Sequence, residues 1–373
     1  MRFHVLGLPH SATSKAYLCC AFTQKVLNFC KMMHARGHEV WHYGNEASDV
    51  PCTEHVTLIR REEIAAPEDF GPYDTESHLY KRFNVIAAYE ISKRRTKHDF
   101  LIMFWPCHKA VVEALPDLVA VEAGIGYPGL MGAPFKIFES YAMLHAWLGM
   151  EGVRTANGNN WWYNQVIPNS FDPEDFPFWD KKNDYLLFMG QRVIGGEGKG
   201  IYVAADIAKF TGMKLVVAGP GEVAKGVKFP PGTEFTGRVG VKERGSLMAY
   251  ARAVLCPSLF VEPFCGVSVE AMFCGTPVVC SDWGALTENV IHGVTGYRCR
   301  TMEEFVWAVR NADRIKPEKC RAWAVNNFSL HAAAEMYEEY FRSVMNVMNG
   351  EGWYAKHPER ENLDFRGKYL PLL

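Results

Sequence analysis

The chain has 373 residues, with 40 Lys and Arg against 42 Asp and Glu, a formal net charge of −2 and a pI near 6.7. Apolar residues make up 48% and charged residues 22%, an ordinary globular composition. The length predicts two domains or one large one, and the near-neutral charge argues against a general nucleic-acid-binding surface and against disorder.

Cysteine and histidine usage gives no sign of a metal site. The 11 cysteines are scattered without Cys-x-x-Cys spacing, and the H-E-x-x-H match at residues 38–42 coincides with the strand predicted at 39–43, whereas the metalloprotease motif needs a helix. We also recognise no secretion signal and no apolar run near the roughly 18 to 20 residues that span a bilayer. These features predict a reduced, cytoplasmic protein that crosses no membrane, with peripheral contact to the cytoplasmic face left open.

Predicted strands and helices alternate through the first half of the chain. A strand at residues 2–7 leads through a polar loop to a helix at 20–36 and a strand at 39–43. The later predictions are strands at 55–59, 100–105, 118–121 and 165–167, and helices at 76–96, 109–115 and 138–148. Such alternation predicts a parallel sheet with helices on both faces and functional loops at the carboxyl ends of its strands.

Four residues of this half are candidates for substrate contacts. Gly7 closes the first strand and His10 lies in the loop behind it, where no G-x-G-x-x-G fingerprint occurs. Glu122 and Tyr127 lie in a predicted Gly-rich turn after residues 118–121. An aromatic ring suits a sugar face, but core packing of Tyr127 and a purely structural carboxylate at Glu122 are equally good interpretations.

A basic run from Lys93 to His98 follows a predicted helix. Positive charge there complements the helix dipole, so a solvated helix end is the simplest interpretation. A patch for an acceptor phosphate or for a membrane surface is the alternative.

A glycine-rich, cationic turn opens the second half. A polar connector begins near Ser170, a strand follows at residues 185–189, and the turn carries Arg192 and Lys199 before a helix that runs to about 210. Backbone amides, a helix start and two cations form a phosphate cradle, although the Walker A pattern is not satisfied.

Two glutamates then lie eight positions apart. Glu262 lies in a predicted loop and Glu270 in a helix predicted at 268–273, which a buried strand follows at 277–281. Free N–H groups at the helix start can bind an anion, and Glu270 can accept the hydroxyl groups of a ribose. On spacing alone, two surface glutamates on an ordinary loop-helix-strand unit are an equal alternative.

This segment resembles the Glu-x7-Glu signature of the family 4 retaining glycosyltransferases, which have the GT-B fold. The similarity extends through residues 270–272 and 274–279, and the strand, Gly-x-Arg and later Lys-Gly of residues 185–200 resemble the diphosphate-binding pair of the family. One departure is visible, because Cys265 stands where the family usually has glycine.

The resemblance implies an α/β GT-B fold, in which two Rossmann-like domains have parallel sheets that face each other across a cleft. An acceptor-side domain would span residues 1–170 and a nucleotide-sugar-binding domain residues 171–345. The tail at 346–373 would pack back on the N-terminal domain.

The resemblance also implies roles for individual residues. Arg192 and Lys199 would bind the diphosphate, Glu262 the donor sugar and Glu270 the ribose, and the first three are the catalytic candidates. The remaining donor-site candidates are Phe264, Cys265, Gly266, Val267, Gly219 and Arg238. Gly7, His10, Glu122 and Tyr127 would lie on the acceptor side, with Glu122 where many members carry histidine.

The implied activity is transfer of a hexosyl or pentosyl group, with retention, from a UDP- or GDP-sugar to a hydroxyl of a glycan or glycolipid. No cofactor or metal is required, because two fixed cations neutralise the leaving diphosphate. Three alternatives stay open at this stage: transfer to hydroxymethylated DNA bases, an epimerase, hydrolase or phosphorylase of the same fold, and a non-catalytic sugar-nucleotide-binding protein.

Overall fold

The computed structural model describes residues 1–17, 20–69, 74–127, 132–150, 163–190, 197–221 and 228–355. The chain divides into two compact units, and the division falls between Ser170 and Phe171. The described residues from Ala333 to Ala355 return to the first unit, and Ser140–His145 group with the second.

The first half of the chain forms one parallel sheet with helical connections. The strands, which pair in the order β3-β2-β1-β4-β5-β6-β7, are β1 (Arg2–Leu6), β2 (Glu39–Asn45), β3 (Glu54–Ile59), β4 (Phe100–Met103), β5 (Val119–Ile125), β6 (Phe135–Phe138) and β7 (Gln165–Val166). The helices are α1 (Ala21–Ala35), α2 (His78–Ser92), α3 (Lys109–Ala114) and α4 (Tyr141–Met150).

Two sequence predictions in this half were wrong. Residues Phe135–Phe138 form strand β6, which pairs with β5, whereas the helix predicted from 138 begins only at Tyr141. Strand β5 also continues to Ile125, so Glu122 lies inside a strand rather than in a turn. Both segments are buried between neighbouring strands, and sheet pairing outweighs the local turn signal of glycine there.

The second half repeats the architecture with a six-stranded parallel sheet in the order β10-β9-β8-β11-β12-β13. Its strands are β8 (Tyr185–Met189), β9 (Lys214–Ala218), β10 (Glu234–Gly237), β11 (Ala253–Cys256), β12 (Val278–Ser281) and β13 (Gly296–Cys299). Its helices are α5 (Ile201–Thr211), α6 (Val241–Tyr250), α7 (Gly266–Phe273), α8 (Leu286–Asn289), α9 (Met302–Arg310), α10 (Pro317–Phe328) and α11 (Leu330–Met348). Two parallel α/β units confirm the fold class expected from the sequence.

Most of helix α11 belongs to the first unit. The ring of Phe341 lies 4.8 Å from those of Phe3 and Phe100, measured between ring centroids. Glu338 forms ion pairs with Arg36 at 2.6 Å and with His38 at 2.8 Å. The first unit therefore combines the N-terminal half of the chain with most of helix α11. Within the described part of the chain, no helix combines the length and apolar character needed to cross a membrane.

Candidate active site

The candidate site lies at the carboxyl edge of the second sheet. Strands β8 and β11 are hydrogen-bonded neighbours, and in a parallel sheet their carboxyl ends meet at the same edge. The chain after β8 leads to Lys199, and the chain after β11 leads to Glu262. Two loops that are distant in sequence therefore meet at one point.

Lys199 and Glu262 form a close ion pair. The Lys199 Nζ lies 2.8 Å from each of the two carboxylate oxygens of Glu262. The Ser258 hydroxyl donates a further hydrogen bond of 2.5 Å to Oε1. Because Glu262 is only 1% exposed, its negative charge depends on these donors for stabilisation.

Lys199 keeps its positive charge in this position. Burial alone would lower the pKa of the ammonium group, but the Glu262 carboxylate outweighs that effect and the pKa is raised. The Lys199 side chain remains 45% exposed, and its Nζ lies 4.9 Å from the ring centroid of Phe260. The site thus presents a fixed cation to solvent.

The backbone of Glu262 is held by the loop after β12. Ala285 donates its N–H to the Glu262 carbonyl at 3.0 Å. Gly284 has φ +56°, and a Cβ at this position would lie 2.6 Å from the Glu262 nitrogen. Only glycine fits there without moving the loop that carries Glu262.

Helix α7 begins directly after this loop. Its N-cap residue, Cys265, supplies no side-chain hydrogen bond to the helix, and the Ser268 hydroxyl bonds instead to the Cys265 carbonyl at 2.7 Å. Uncapped N–H groups at a helix start attract anions. Phe264 is buried against Phe171.

The two residues that follow Cys265, Gly266 and Val267, are also predicted donor-site candidates. Gly266 is the first residue of α7, and a Cβ there would lie 3.4 Å from the ring of Phe171. Val267 packs, partly buried, against the core of the second unit. Both residues therefore help to fix the start of the helix.

Two cations hold the other end of α7. The half-buried Lys182 side chain donates from its ammonium group to the carbonyls of Trp179, Ala249 and Cys274 and to the Thr276 hydroxyl. Arg321 donates to the Phe273 carbonyl at 2.5 Å. Positive charge at a helix C-terminus complements the helix dipole. Burial lowers the pKa of Lys182 to about 8.

Glu270, one turn into α7, is buried with an incomplete set of partners. Its Oε1 lies 3.2 Å from the Arg244 guanidinium. Among the described residues, neither its Oε2 nor the Arg244 Nε has a hydrogen-bond partner. Burial raises the pKa of Glu270, and Arg244 only partly opposes the shift. A carboxylate oxygen without a partner is costly unless a ligand hydroxyl completes it.

A pH experiment tests the burial of Glu270. Because its pKa is higher in the folded state than the ordinary 4.5, the folded chain holds the proton more tightly than the unfolded chain. The stability contributed by this group is therefore full below pH 4.5 and is lost as pH rises through the folded pKa. We expect the free energy of unfolding of wild type, relative to Glu270→Gln, to fall as the pH rises above about 4.5 and through the raised pKa of the folded state.

Urea unfolding of the ligand-free proteins at several pH values measures that difference. The Glu234→Gln variant is the matched control, because Glu234 is half exposed on the edge strand β10 and pairs with Lys214 at the surface. If the difference in unfolding free energy between wild type and Glu270→Gln stays constant with pH, the pKa of Glu270 is not raised by burial.

The remaining donor-site candidates of the second unit lie elsewhere along the same edge or outside the described residues. Gly219 follows β9 and donates its N–H to the Gly237 carbonyl at 2.8 Å. Arg238 is exposed at the end of β10. The sheet order places both on the β9–β10 side of Lys199. Arg192 lies outside the described residues.

In the first unit, Gly7 and His10 follow β1. The Gly7 N–H donates to the Tyr43 carbonyl at 2.7 Å. The His10 ring is buried, with Nδ1 on the Tyr80 hydroxyl and Nε2 3.6 Å from the Cys20 sulfur. Burial lowers the pKa of His10 to about 4, so the ring is neutral at physiological pH.

Glu122 and Tyr127 form a buried pair. The Tyr127 hydroxyl donates to Glu122 Oε1 at 3.0 Å, and Glu122 is 0% exposed. Burial, reinforced by the Glu122 carboxylate, raises the pKa of Tyr127. The rings of Phe22 and Trp105 pack beside Tyr127.

Three residues of the site escaped the sequence analysis. Ser258 lies four positions before Glu262, and no motif in the sequence marks it as a partner of that carboxylate. Phe260 reads as an ordinary loop residue. Arg244 lies on helix α6, which the sequence analysis did not predict, and no sequence signal links it to Glu270.

Part of the chain matches a known family. Residues 185–312, which contain Lys199, Glu262 and Glu270, match the family model described as glycosyl transferases group 1. An uncharacterized glycosyltransferase of Methanocaldococcus jannaschii, MJ1607, is 30% identical over 207 residues, which cover 47% of this chain and 50% of that protein. The chain thus spans about half the length of that curated relative.

Solved structures share the fold over nearly the whole chain. AviGT4, a glycosyltransferase involved in avilamycin A biosynthesis, is 23% identical with a TM-score of 0.66, over 94% of this chain and 98% of that one. Anabaena Alr3699/HepE in complex with UDP and glucose is 15% identical with a TM-score of 0.62, over 92% and 100% of the two chains. These likenesses identify the fold as GT-B.

Proposed function

We propose that the protein is a retaining glycosyltransferase that moves a sugar from a nucleoside-diphosphate donor to a hydroxyl of a glycan or glycolipid. The observation that carries the proposal is the Lys199–Glu262 ion pair beside the uncapped start of α7, with Glu270 one turn further on. The group 1 family match over residues 185–312 supports it, as does a structural neighbour that binds UDP and glucose.

The leaving diphosphate would bind between Lys199 and the start of α7. An ammonium group has three N–H donors, and two of them face Glu262, so a third can serve a phosphate oxygen. The diphosphate gains negative charge as the glycosidic bond breaks. A fixed cation and aligned backbone N–H groups stabilise that charge without a metal ion. Arg192 is the second cation of this proposal.

Glu270 would bind the donor ribose. Its Oε2 is buried without a hydrogen-bond partner among the described residues, and a ribose hydroxyl would supply the missing donor. Arg244 then acts as a positioning residue, because it orients the carboxylate through Oε1. Gly219 and Arg238, on the β9–β10 side, would lie toward the base.

Glu262 would hold hydroxyl groups of the donor sugar rather than attack it. Lys199 and Ser258 already donate hydrogen bonds to its carboxylate, which lowers its reactivity as a nucleophile. Retention then requires the acceptor to approach on the side of the departing phosphate. A phosphate oxygen of the leaving group would accept the acceptor's proton.

A transfer assay tests the proposal. The protein is incubated with UDP- and GDP-sugars and with soluble glycan or lipid-linked acceptors, and the anomeric configuration of the product is determined by NMR. We expect a product with the donor's configuration, formed in the presence of EDTA. An inverted product would refute retention. Release of free sugar in the absence of an acceptor would indicate a hydrolase. Donor binding without turnover would indicate a sugar-nucleotide-binding protein. Transfer only to hydroxymethylated DNA would show that the acceptor is not a glycan or glycolipid.

A further inference from the structure

Four large apolar side chains are exposed in the two loops that hold Glu262. Leu259 is 67% exposed, Phe260 38%, Val261 40% and Trp283 51%. The first three directly precede Glu262, whereas Trp283 belongs to the loop after β12. We call these four residues the apolar rim. Exposed apolar side chains that are grouped in this way generally mark a place where another molecule binds.

Backbone contacts fix the position of the rim. The Leu259 N–H donates to the Gly198 carbonyl at 2.8 Å. On the other side, a Cβ at Gly284 would lie 3.2 Å from the carbonyl carbon of Val261, so Trp283 is one residue away from that contact. Because the two loops meet at their backbones, the rim is a preformed surface.

The rim lies beside the groups that the proposed donor contacts. The ring centroid of Phe260 is 4.9 Å from the Lys199 Nζ, and Val261 is joined directly to Glu262. The residues proposed to lie toward the base are on the β9–β10 side of Lys199, whereas the rim follows β11 and β12. The base and the rim are therefore on opposite sides of Lys199 along the sheet edge, which leaves the rim for the molecule that receives the sugar.

The charges around the rim suit a single apolar group better than a bilayer. A membrane-surface site combines apolar side chains with several Lys or Arg that meet lipid phosphates. Residues 259–263 contain neither Lys nor Arg. Arg298 and Arg300, which approach Asp282 next to Trp283, both pair with the Asp282 carboxylate.

We propose that the rim binds the apolar chain of the acceptor, so that the acceptor is a glycolipid rather than a free glycan. This inference rests on the proposed function, because it names the acceptor class of that reaction. With its chain on the rim, the acceptor has its sugar end beside Glu262, where the donor sugar would be held. Burial of apolar surface then supplies binding energy away from the reacting hydroxyl.

Acceptors that are matched in their sugar test the proposal. Each sugar of a panel is offered as its methyl and as its octyl glycoside, below the micelle concentration of the octyl compound, with the donor found in the transfer assay. We expect a KM for the octyl glycoside that is lower by about tenfold or more, because a few buried methylene groups account for such a difference. The two kcat values should be similar, since the reacting groups are the same.

Variants of the rim connect this preference to its side chains. Leu259→Ser and Trp283→Ser should each reduce the ratio of the methyl to the octyl KM by about threefold or more, and Trp283→Phe should keep the ratio. A loss of structure would affect both glycosides alike and would leave the ratio unchanged. Phe210→Ser is the matched control, because Phe210 is an exposed apolar side chain near the far end of α5.

The possible outcomes separate this inference from the proposed function. Equal KM values for the two glycosides with wild type, or an octyl preference that both serine variants keep, would overturn the inference and leave the transfer reaction in place. Transfer to no acceptor would overturn both. Sedimentation with phosphatidylcholine–phosphatidylglycerol vesicles that Leu259→Ser abolishes would show that the rim binds a bilayer instead. A wild-type dimer that Leu259→Ser converts to a monomer would show that a second copy covers the rim.

Discussion

Replacement of Lys199 by alanine is expected to lower kcat/KM for sugar transfer by about a thousandfold or more. One preorganised contact to developing charge is worth roughly 3–4 kcal/mol, and Lys199 serves both the diphosphate and Glu262. Both carboxylate oxygens of Glu262 lie 2.8 Å from the Lys199 Nζ. Removal of the Lys199 ammonium group therefore also removes two hydrogen bonds that hold the Glu262 side chain in position. Steady-state kinetics with the donor found in the transfer assay measures the effect.

Lys209→Ala is the matched control. Lys209 is exposed in the last turn of α5, so its removal should change kcat/KM less than twofold or so, as surface substitutions generally have small effects. Lys199→Arg should recover part of the lost rate, because the positive charge is retained. If Lys199→Ala keeps more than a tenth of the wild-type rate, Lys199 is not the cation that stabilises the leaving group.

Replacement of Gly200 by alanine should give the largest loss of stability. Gly200 is the N-cap of α5 with φ +80°, and a Cβ there would lie 1.9 Å from the Pro257 carbonyl oxygen. Left-handed backbone costs about 1–2 kcal/mol for alanine, and overpacking adds about 1–3 kcal/mol. We therefore expect the free energy of unfolding in urea to fall by about 3 kcal/mol or more.

The other end of the same helix provides the control. Gly212 also has positive φ, +71°, but nothing lies within 4 Å of the position of its Cβ. Gly212→Ala should therefore cost only the conformational part, about 1–2 kcal/mol. Equal losses for the two variants would show that Pro257 does not approach Gly200 closely. Gly200 directly follows Lys199, and Pro257 lies shortly before Glu262. A clash between Gly200→Ala and Pro257 should therefore displace both loops of the site and also impair transfer.

The sequence predicted the parts of the fold that local pattern determines. Strand β8 has the predicted boundaries, because its apolar run lies between Asp184 and Gly190. Strand β6 was missed, since its four residues become a strand only through pairing with β5. Helix α6 was not predicted either, because Gly245 and several charged residues obscure its apolar face. Pairing partners and helix packing depend on distant residues.

The site was predictable where it depends on a continuous segment. Glu262, Glu270 and Lys199 are candidates that their motifs indicate, and the structure adds the side chains that contact them. Ser258 reaches Glu262, and Arg244 reaches Glu270, only after the chain folds. The left-handed backbone of Cys265, with φ 65°, was also invisible, since it is a property of the loop.

The most direct test of the central claim is a calorimetric titration with UDP-, GDP- and ADP-sugars, performed on wild type and on Lys199→Ala. A diphosphate held by Lys199 and the start of α7 predicts that wild type binds at least one of these donors at one site per chain. The same donor should bind at least tenfold more weakly to Lys199→Ala. Undiminished affinity in the variant, or no binding of any donor by wild type, would contradict the account.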